Sequence, residues 1–243
     1  MRVNNQHAYV LHHYSYRETS LVLELFTRTH GRLGVLAKGA RRGAVRQRSS
    51  LEPFQPLLAS WGGRGDLPVL SSVEVAGNAI LLRGDRLYCG LYMNEVLLRL
   101  LHRHDAHEHL FDAYCLSLKN LAAGASLEAT LRVFEKHLLQ EVGYGLVLDH
   151  EINDDAPIDP AATYDYIPDR GPVRISDADA NARGVRLHGS SLLALAGEVL
   201  TEAQALQETK TLMRTVLGQR LAGKPLNTRK LFHDLKQAPL GAE

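Results

Sequence analysis

The spacing of apolar residues changes once along this chain, near residue 85, and this change constrains its fold class more than any other feature. Before that point, short runs rich in Val, Leu and Tyr are separated by Gly, Pro and polar residues, as in strands joined by turns. These runs predict five strands, at 8–12, 20–26, 32–37, 55–61 and 69–75. Five short strands with Gly-rich connections within about 80 residues favour a small closed barrel.

Beyond residue 85, apolar residues recur at every third or fourth position, which is the period of an amphipathic helix. Two such helices are predicted at 87–101 and 110–121. Ser126 is a candidate N-cap for a third helix, which ends at the Gly-Tyr-Gly sequence 143–145. Further helices are predicted at 190–200, 202–221 and 226–235. The chain is therefore predicted to be an α+β protein, with a barrel domain at 1–80 and a mainly α-helical domain at 81–243.

The composition argues against several classes of protein. No apolar run reaches the roughly 18 to 20 residues needed to cross a bilayer, and the first residues lack the apolar core of a signal peptide. Cys89 and Cys115 are the only cysteines, which is too few for a disulfide framework. Their apolar neighbours predict buried thiols in a reducing compartment, so we expect a cytoplasmic protein.

Positive charge is concentrated between Leu25 and Leu51, where no Asp or Glu occurs. The whole chain has a formal charge of only +1, so acidic residues elsewhere offset this segment. A solvated loop usually mixes both signs of charge, whereas a concentrated positive surface attracts a polyanion such as nucleic acid. The candidate phosphate-binding residues are Arg28, Arg32, Lys38, Arg41, Arg42, Arg46 and Arg48. Aromatic residues for base stacking are few (Tyr14, Tyr16 and Trp61), so contacts with the phosphate backbone are expected to dominate.

Enzyme signatures are missing from the sequence: it contains no GxxxxGK[ST], GxSxG or HExxH pattern. We therefore expect no catalytic residues, no cofactor and no enzymatic turnover. Segment 149–170 is acidic and contains prolines, and is predicted to be an exposed loop with a small hairpin around 164–167. Its carboxylates leave open a metal-dependent nuclease, and the basic barrel leaves open an RNA-binding adaptor.

Two further clusters admit more than one interpretation. The histidines of the sequence HRHDAHEH are poorly spaced for zinc and favour a solvated turn between helices: His102, His104, His107 and His109. Arg132 lies beside an apolar stripe of the third predicted helix. It is either a surface arginine covering core residues or an anion clamp beside an apolar groove that receives a peptide carboxylate.

Several segments resemble the RecO family of bacterial recombination mediators, and they occur in the family's order. They are RETSL at 17–21, AKGAR at 37–41, NEVLL at 94–98, LRVFEKHLLQEVGYG at 131–145 and GKPLNTRKLF at 223–232. The resemblance extends from about residue 6 to 234 and is greatest to the proteobacterial branch. Some family members carry a four-cysteine zinc site after the Gly-Tyr-Gly turn; this chain has no cysteines there, so no metal is expected.

The resemblance implies an N-terminal five-stranded OB-fold barrel followed by the helical domain. It implies a protein of DNA repair and recombination (the RecF pathway) that binds single- and double-stranded DNA, anneals complementary strands and assists RecA loading on coated single strands. The implied partners are DNA, RecR, the acidic C-terminal tail of single-strand-binding protein and, indirectly, RecA, at the bacterial nucleoid. Arg132 would bind the terminal carboxylate of that tail, within an apolar wall formed by Leu98, Leu131, Leu138 and Tyr144.

Overall fold

The structure, a computed structural model, describes residues 2–42, 51–176, 183–228, 230, 231 and 234. The chain forms two compact units. The first consists of Met1–Gly124 and Leu226–Glu243, and the second is Ala125–Pro225. The predicted division at residue 80 falls within the first unit, between its strands and its helices, and as a domain boundary it stays a prediction.

Five strands of the first unit close into a barrel, which confirms the predicted OB-fold type. They are β1 (Arg2–Tyr16), β2 (Ser20–Thr27), β3 (Gly31–Ala37), β4 (Leu57–Gly62) and β5 (Val69–Val75). Their order is β1-β2-β3-β5-β4, and β4 returns to pair antiparallel with β1. The barrel closes where Leu36 of β3 meets Val69 of β5 in parallel.

Alternate side chains of each strand point into the barrel, because successive residues of a strand face opposite sides. The inner set is apolar and includes Val10, Leu23, Leu25, Leu33, Val35 and Leu57. Trp61 belongs to this core and is only 5% exposed. It is therefore a packing residue of the barrel core, and its ring is not exposed for base stacking.

The first strand is longer than the barrel requires. Its residues 2–8 pair with β4, whereas its pairing with β2 continues from Ala8 to Tyr16. A register shift between Val10 and His12 interrupts the pairing with β2. The β1–β2 hairpin therefore extends past the end of β4.

Two helices follow the barrel, as the apolar period predicts: α1 (Asp85–Leu100) and α2 (Glu108–Ala123). Tyr9 and Phe26, on the outer face of the barrel, contact Phe111 and Tyr114 of α2 with ring centroids 5.3 to 5.9 Å apart. Tilted and edge-to-face aromatic pairs of this kind add to the free energy of burial. They hold α2 against the sheet.

The connection between α1 and α2 lies directly beside β3. His104 donates its backbone N–H to the carbonyl of Arg32 at 2.8 Å. Gly31 has a φ of 62°, and a Cβ at this position would overlap the carbonyl of Asp105. Only glycine permits this approach without strain.

Glu95 joins the C-terminal segment to α1. Its carboxylate accepts hydrogen bonds from the backbone N–H groups of Asn227 (2.8 Å) and Thr228 (2.9 Å), and from the Thr228 hydroxyl (2.7 Å). Residues 227, 228, 230, 231 and 234 are helical, while 229, 232, 233 and 235 of the predicted last helix lie outside the described residues. A carboxylate at a helix N-terminus satisfies N–H groups that have no partner within the helix.

The attachment is expected to depend on pH. Burial alone would raise the pKa of Glu95, but hydrogen bonds from Thr228 and Asn227 and the contact with Arg99 hold it below its ordinary value of 4.5. A carboxylate whose pKa is lowered by folding contributes stability at pH values above its ordinary pKa. This contribution is lost as the pH falls through the pKa of the folded state. We expect Glu95→Gln to speed hydrogen exchange of the Asn227 and Thr228 amides by roughly 10-fold, since charge-assisted bonds contribute about 1.5 to 3 kcal/mol before allowance for solvent.

Hydrogen exchange at about pH 6 and about pH 3 checks this expectation. The wild-type amides should approach the rate of the variant at the lower pH. Arg99→Leu is the matched control, because it removes a cation from the same carboxylate but leaves the bonds to Asn227 and Thr228 in place. Equal rates in wild type and Glu95→Gln would contradict the role of Glu95.

The second unit combines three helices with a small sheet. The helices are α3 (Leu127–Glu141), α4 (Gly189–Ala196) and α5 (Ala203–Arg220). The strands are β6 (Thr163–Ile167), β7 (Gly171–Ile175) and β8 (Val185–His188), in the order β7-β6-β8. Ser126 accepts a hydrogen bond from the N–H of Ala129 at 3.3 Å, which confirms the predicted N-cap of α3.

Part of the acidic segment 149–170 differs from the predicted loop. The hairpin around 164–167 is confirmed as β6 and β7, but the third strand was not predicted. Asp165 accepts hydrogen bonds from the N–H groups of Arg183 and Gly184, and Glu151 accepts one from Arg174. These carboxylates therefore stabilise the small sheet by pairing with backbone donors.

Candidate nucleic-acid interface

The predicted basic residues divide into groups with different electrostatic surroundings. Arg32, on β3, is mostly buried, with 17% of its side chain exposed. Its guanidinium donates to Glu24 at 3.0 Å and to the carbonyl of Leu101 at 3.2 Å. Glu24 is itself 6% exposed and also contacts Arg103. The charge of Arg32 is thus compensated within the protein.

Arg28 is also paired, but at the surface. Its Nη2 lies 2.9 Å from a carboxylate oxygen of Asp112, and its Nε lies 3.9 Å from Glu108. The hydrogen bond with Asp112 raises the pKa of Arg28 above its ordinary value. Exposed ion pairs of this kind are weak, so a phosphate can compete for Arg28 more readily than for Arg32.

The turn between β1 and β2 and the segment that follows β3 bring other cations together. Arg41 donates its backbone N–H to the carbonyl of Thr19 at 2.9 Å. Its guanidinium donates to the carbonyls of Arg17 (3.3 Å) and Glu18 (3.1 Å). Because these acceptors are neutral, the positive charge of Arg41 is not cancelled by them. We call the exposed group Arg17, Lys38, Arg41 and Arg42 the cationic turn.

Three of these four residues were predicted from sequence, whereas Arg17 was missed. Arg17 precedes Glu18 and lies outside the acid-free segment, so a search for runs of like charge passes over it. Its position at the turn between two predicted strands was the available signal, because turns at the same end of a barrel lie close together. Arg46 and Arg48 lie outside the described residues, and their role stays a prediction.

One predicted docking residue of the second unit belongs to a buried ion pair. Arg132 is 5% exposed, and its Nη2 and Nε lie 2.7 Å from the two carboxylate oxygens of Glu135. The two residues lie about one turn apart on α3. A peptide carboxylate that binds Arg132 must therefore displace Glu135 or share the guanidinium with it.

The residues of the predicted apolar wall differ in burial and lie on different elements. Leu138 is fully buried and Leu131 is half-buried on α3, while Leu98 is half-buried on α1 of the first unit. Tyr144 is 45% exposed and borders a cavity of about 320 Å³, together with Val147, Val216 and others. Its ring lies 3.7 Å from the guanidinium carbon of Arg220, a cation–π contact. The assignment of these residues to a tail-binding pocket stays a prediction.

Two smaller expectations can be compared with the structure. His107 is 8% exposed and lies 3.5 Å from Asp105, whereas His102, His104 and His109 are exposed around the turn. Within the described residues, no three His, Cys, Asp or Glu side chains are grouped so as to hold a metal. Within the described residues neither Cys89 nor Cys115 forms a disulfide, and both are half-buried. Burial raises the pKa of the Cys115 thiol.

Comparison with known proteins identifies the family. The model of the family described as Recombination protein O N terminal matches residues 1–79, and that of Recombination protein O C terminal matches 81–230. A DNA repair protein RecO of Dechloromonas aromatica is 46% identical over 239 residues, covering 97% of this chain and 98% of the relative. One of Methylococcus capsulatus is 48% identical over 232 residues, covering 95% and 93%.

These relatives are named as a DNA repair protein and not by an enzymatic reaction. None of the helices in the described part of the chain is both long and apolar enough to cross a membrane. Together the two family models account for nearly all of the chain, and they follow the same order as the segments that resemble the family. The chain therefore belongs to the recombination protein O family and is a protein of DNA repair and recombination.

Proposed function

We propose that the protein binds single- and double-stranded DNA through the cationic turn and anneals complementary strands. The supporting observation is the bonding of Arg41, whose guanidinium is held at an exposed site by neutral carbonyl oxygens. Phosphate contacts of this kind supply affinity without reading sequence. The chemistry suits a protein that acts on DNA of any sequence.

Strand annealing follows from the same charge. Two DNA strands repel each other, and this repulsion opposes their approach to pairing distance. A surface that neutralises phosphates on both strands lowers this barrier and requires no covalent step. We accordingly propose that the protein works without enzymatic turnover.

The remaining parts of the proposal concern partners. The second unit would bind the acidic C-terminal tail of single-strand-binding protein through Arg132 and Tyr144, and the protein would act with RecR to assist RecA loading. A tether of this kind raises the local concentration of coated DNA near the barrel. These steps would take place in the cytoplasm, at the nucleoid.

The double substitution Arg41→Ala/Arg42→Ala tests the DNA-binding site. Loss of two phosphate contacts should reduce the slope of log K against log salt by about 1.4 for single strands, and affinity at about 0.1 M salt by roughly 20-fold. Fluorescence anisotropy titrations at several salt concentrations measure both quantities. Annealing of complementary strands should slow in parallel.

The matched control is Arg174→Ala/Arg186→Ala, which removes two exposed arginines from the small sheet of the second unit. We expect the control to keep the wild-type slope. An unchanged slope in the Arg41→Ala/Arg42→Ala variant would show that the phosphates bind elsewhere. Shortened DNA products in the presence of Mg²⁺ would instead support a nuclease.

A further inference from the structure

The extended part of the β1–β2 hairpin presents a row of rings on its outer face. His13 and Ser15 pair with Leu23 and Leu21, which belong to the barrel interior. The alternate residues His12, Tyr14 and Tyr16 therefore face outward. Tyr14 is 47% exposed, and His12 is exposed beside it. Two exposed rings therefore lie next to each other on one face of the hairpin.

From this arrangement we infer that His12 and Tyr14 form a stacking site for the unpaired bases of single-stranded DNA. The ring centroids of His12 and Tyr14 lie 6.4 Å apart with an angle of 30° between their planes. The two rings therefore lie side by side on the hairpin and offer a surface on which an unpaired base can stack. This inference rests on the proposed DNA binding and adds to it a distinction between unpaired and paired strands.

The charge beside the row is complementary to a nucleic-acid strand. Arg17 of the cationic turn lies over the ring of Tyr16, 5.4 Å from its centroid. Tyr14 is three residues from Arg17, or about 10 Å along the strand at 3.3 Å per residue. A strand whose phosphates contact the cationic turn therefore brings the bases of neighbouring nucleotides to Tyr14. Aromatic rings next to a cationic groove are the usual means of binding single strands without sequence preference.

Stacking on Tyr14 has a consequence for annealing. A base stacked on His12 and Tyr14 is not stacked in a duplex, so pairing with a complementary strand removes it from the site. The phosphate contacts persist in both states, but the stacking contact exists only before pairing. The row of rings therefore favours the single-stranded substrate over the paired product.

Tyr14→Leu tests this site, because it keeps an apolar side chain and removes the ring. We expect its affinity for an oligothymidine to fall by roughly 5- to 150-fold, the range for loss of one base–aromatic stack. Affinity for an abasic strand of the same length, which retains the phosphates, should not change, and neither should affinity for duplex. The salt slope should stay at the wild-type value, since no charge is removed.

Two variants complete the test. Tyr14→Phe keeps the ring and should bind the oligothymidine as the wild type does. Leu116→Ala, which truncates a residue 59% exposed on α2, should also leave binding unchanged. Equal losses on base-bearing and abasic strands, or no loss with Tyr14→Leu, would overturn the stacking site and leave phosphate binding intact. A wild-type protein that binds none of the three DNA probes would overturn the proposed function itself.

Discussion

Arg132→Ala should destabilise the protein by about 3 to 5 kcal/mol, because it removes the cation that lies against a fully buried carboxylate. Glu135 has no exposed side-chain surface, so water cannot replace the guanidinium without local opening. Urea denaturation of the full chain measures the change. We expect a lower transition midpoint for this variant than for an exposed pair such as Lys210–Glu128 broken by Lys210→Ala.

The double variant Arg132→Ala/Glu135→Ala separates stability from docking. With both charges removed, much of the lost stability should return, since no uncompensated carboxylate remains. Binding of an acidic peptide with a C-terminal Phe should stay weak in the double variant if Arg132 holds its carboxylate. If the stabilised double variant binds the peptide as the wild type does, Arg132 is a structural residue only. Calorimetry with the same peptide distinguishes the two cases.

Glu24→Ala should lower the free energy of unfolding by about 3 kcal/mol, since Glu24 accepts charged hydrogen bonds from both Arg32 and Arg103. The effect is smaller than for the Arg132 pair because 38% of the Arg103 side chain is exposed and can be solvated. DNA affinity should not fall, because the substitution removes a negative charge from the barrel. Thermal unfolding and salt titrations on the same variant measure the two effects.

The salt slope of this variant also tests the predicted role of Arg32. If Arg32 becomes available to phosphate once Glu24 is absent, the slope should steepen by about 0.7 for single strands. Arg32→Ala serves as the matched control, and it should lose stability with little change in slope. A clear loss of slope in Arg32→Ala would instead show that Arg32 contacts phosphate in the wild type, despite its ion pair.

Local patterns were sufficient for most of the fold. Short apolar runs between turn residues predicted β2 and β3 nearly to their ends, and three- and four-residue spacing predicted α1 to α3. The strand β8 was missed because it is short, with the charged Arg186 between two buried residues and little of the apolar content that marks a strand. Its partner is β6, more than fifteen residues earlier, and the pairing is visible only in the folded sheet.

The candidate sites were harder to predict than the fold. Lys38, Arg41 and Arg42 were found because they share one acid-free segment, while Arg17 was hidden by the adjacent Glu18. Tyr14 was noted as an aromatic residue, but its place in an outward row with His12 depends on the register shift in β1. Arg132 was predicted to lie beside the apolar stripe of α3, yet nothing in the sequence indicated that it is buried against Glu135.

By itself, the sequence determined most of the strands and helices, which family the chain resembles, and where positive charge accumulates. These properties depend on neighbouring residues within a few positions along the chain. Only the tertiary structure decided which of the charges are compensated. Glu24 pairs with Arg32, which is 8 residues away along the chain, and with Arg103, which is 79 residues away. Because the dielectric constant around a buried pair is low, such partners determine whether a charge is compensated.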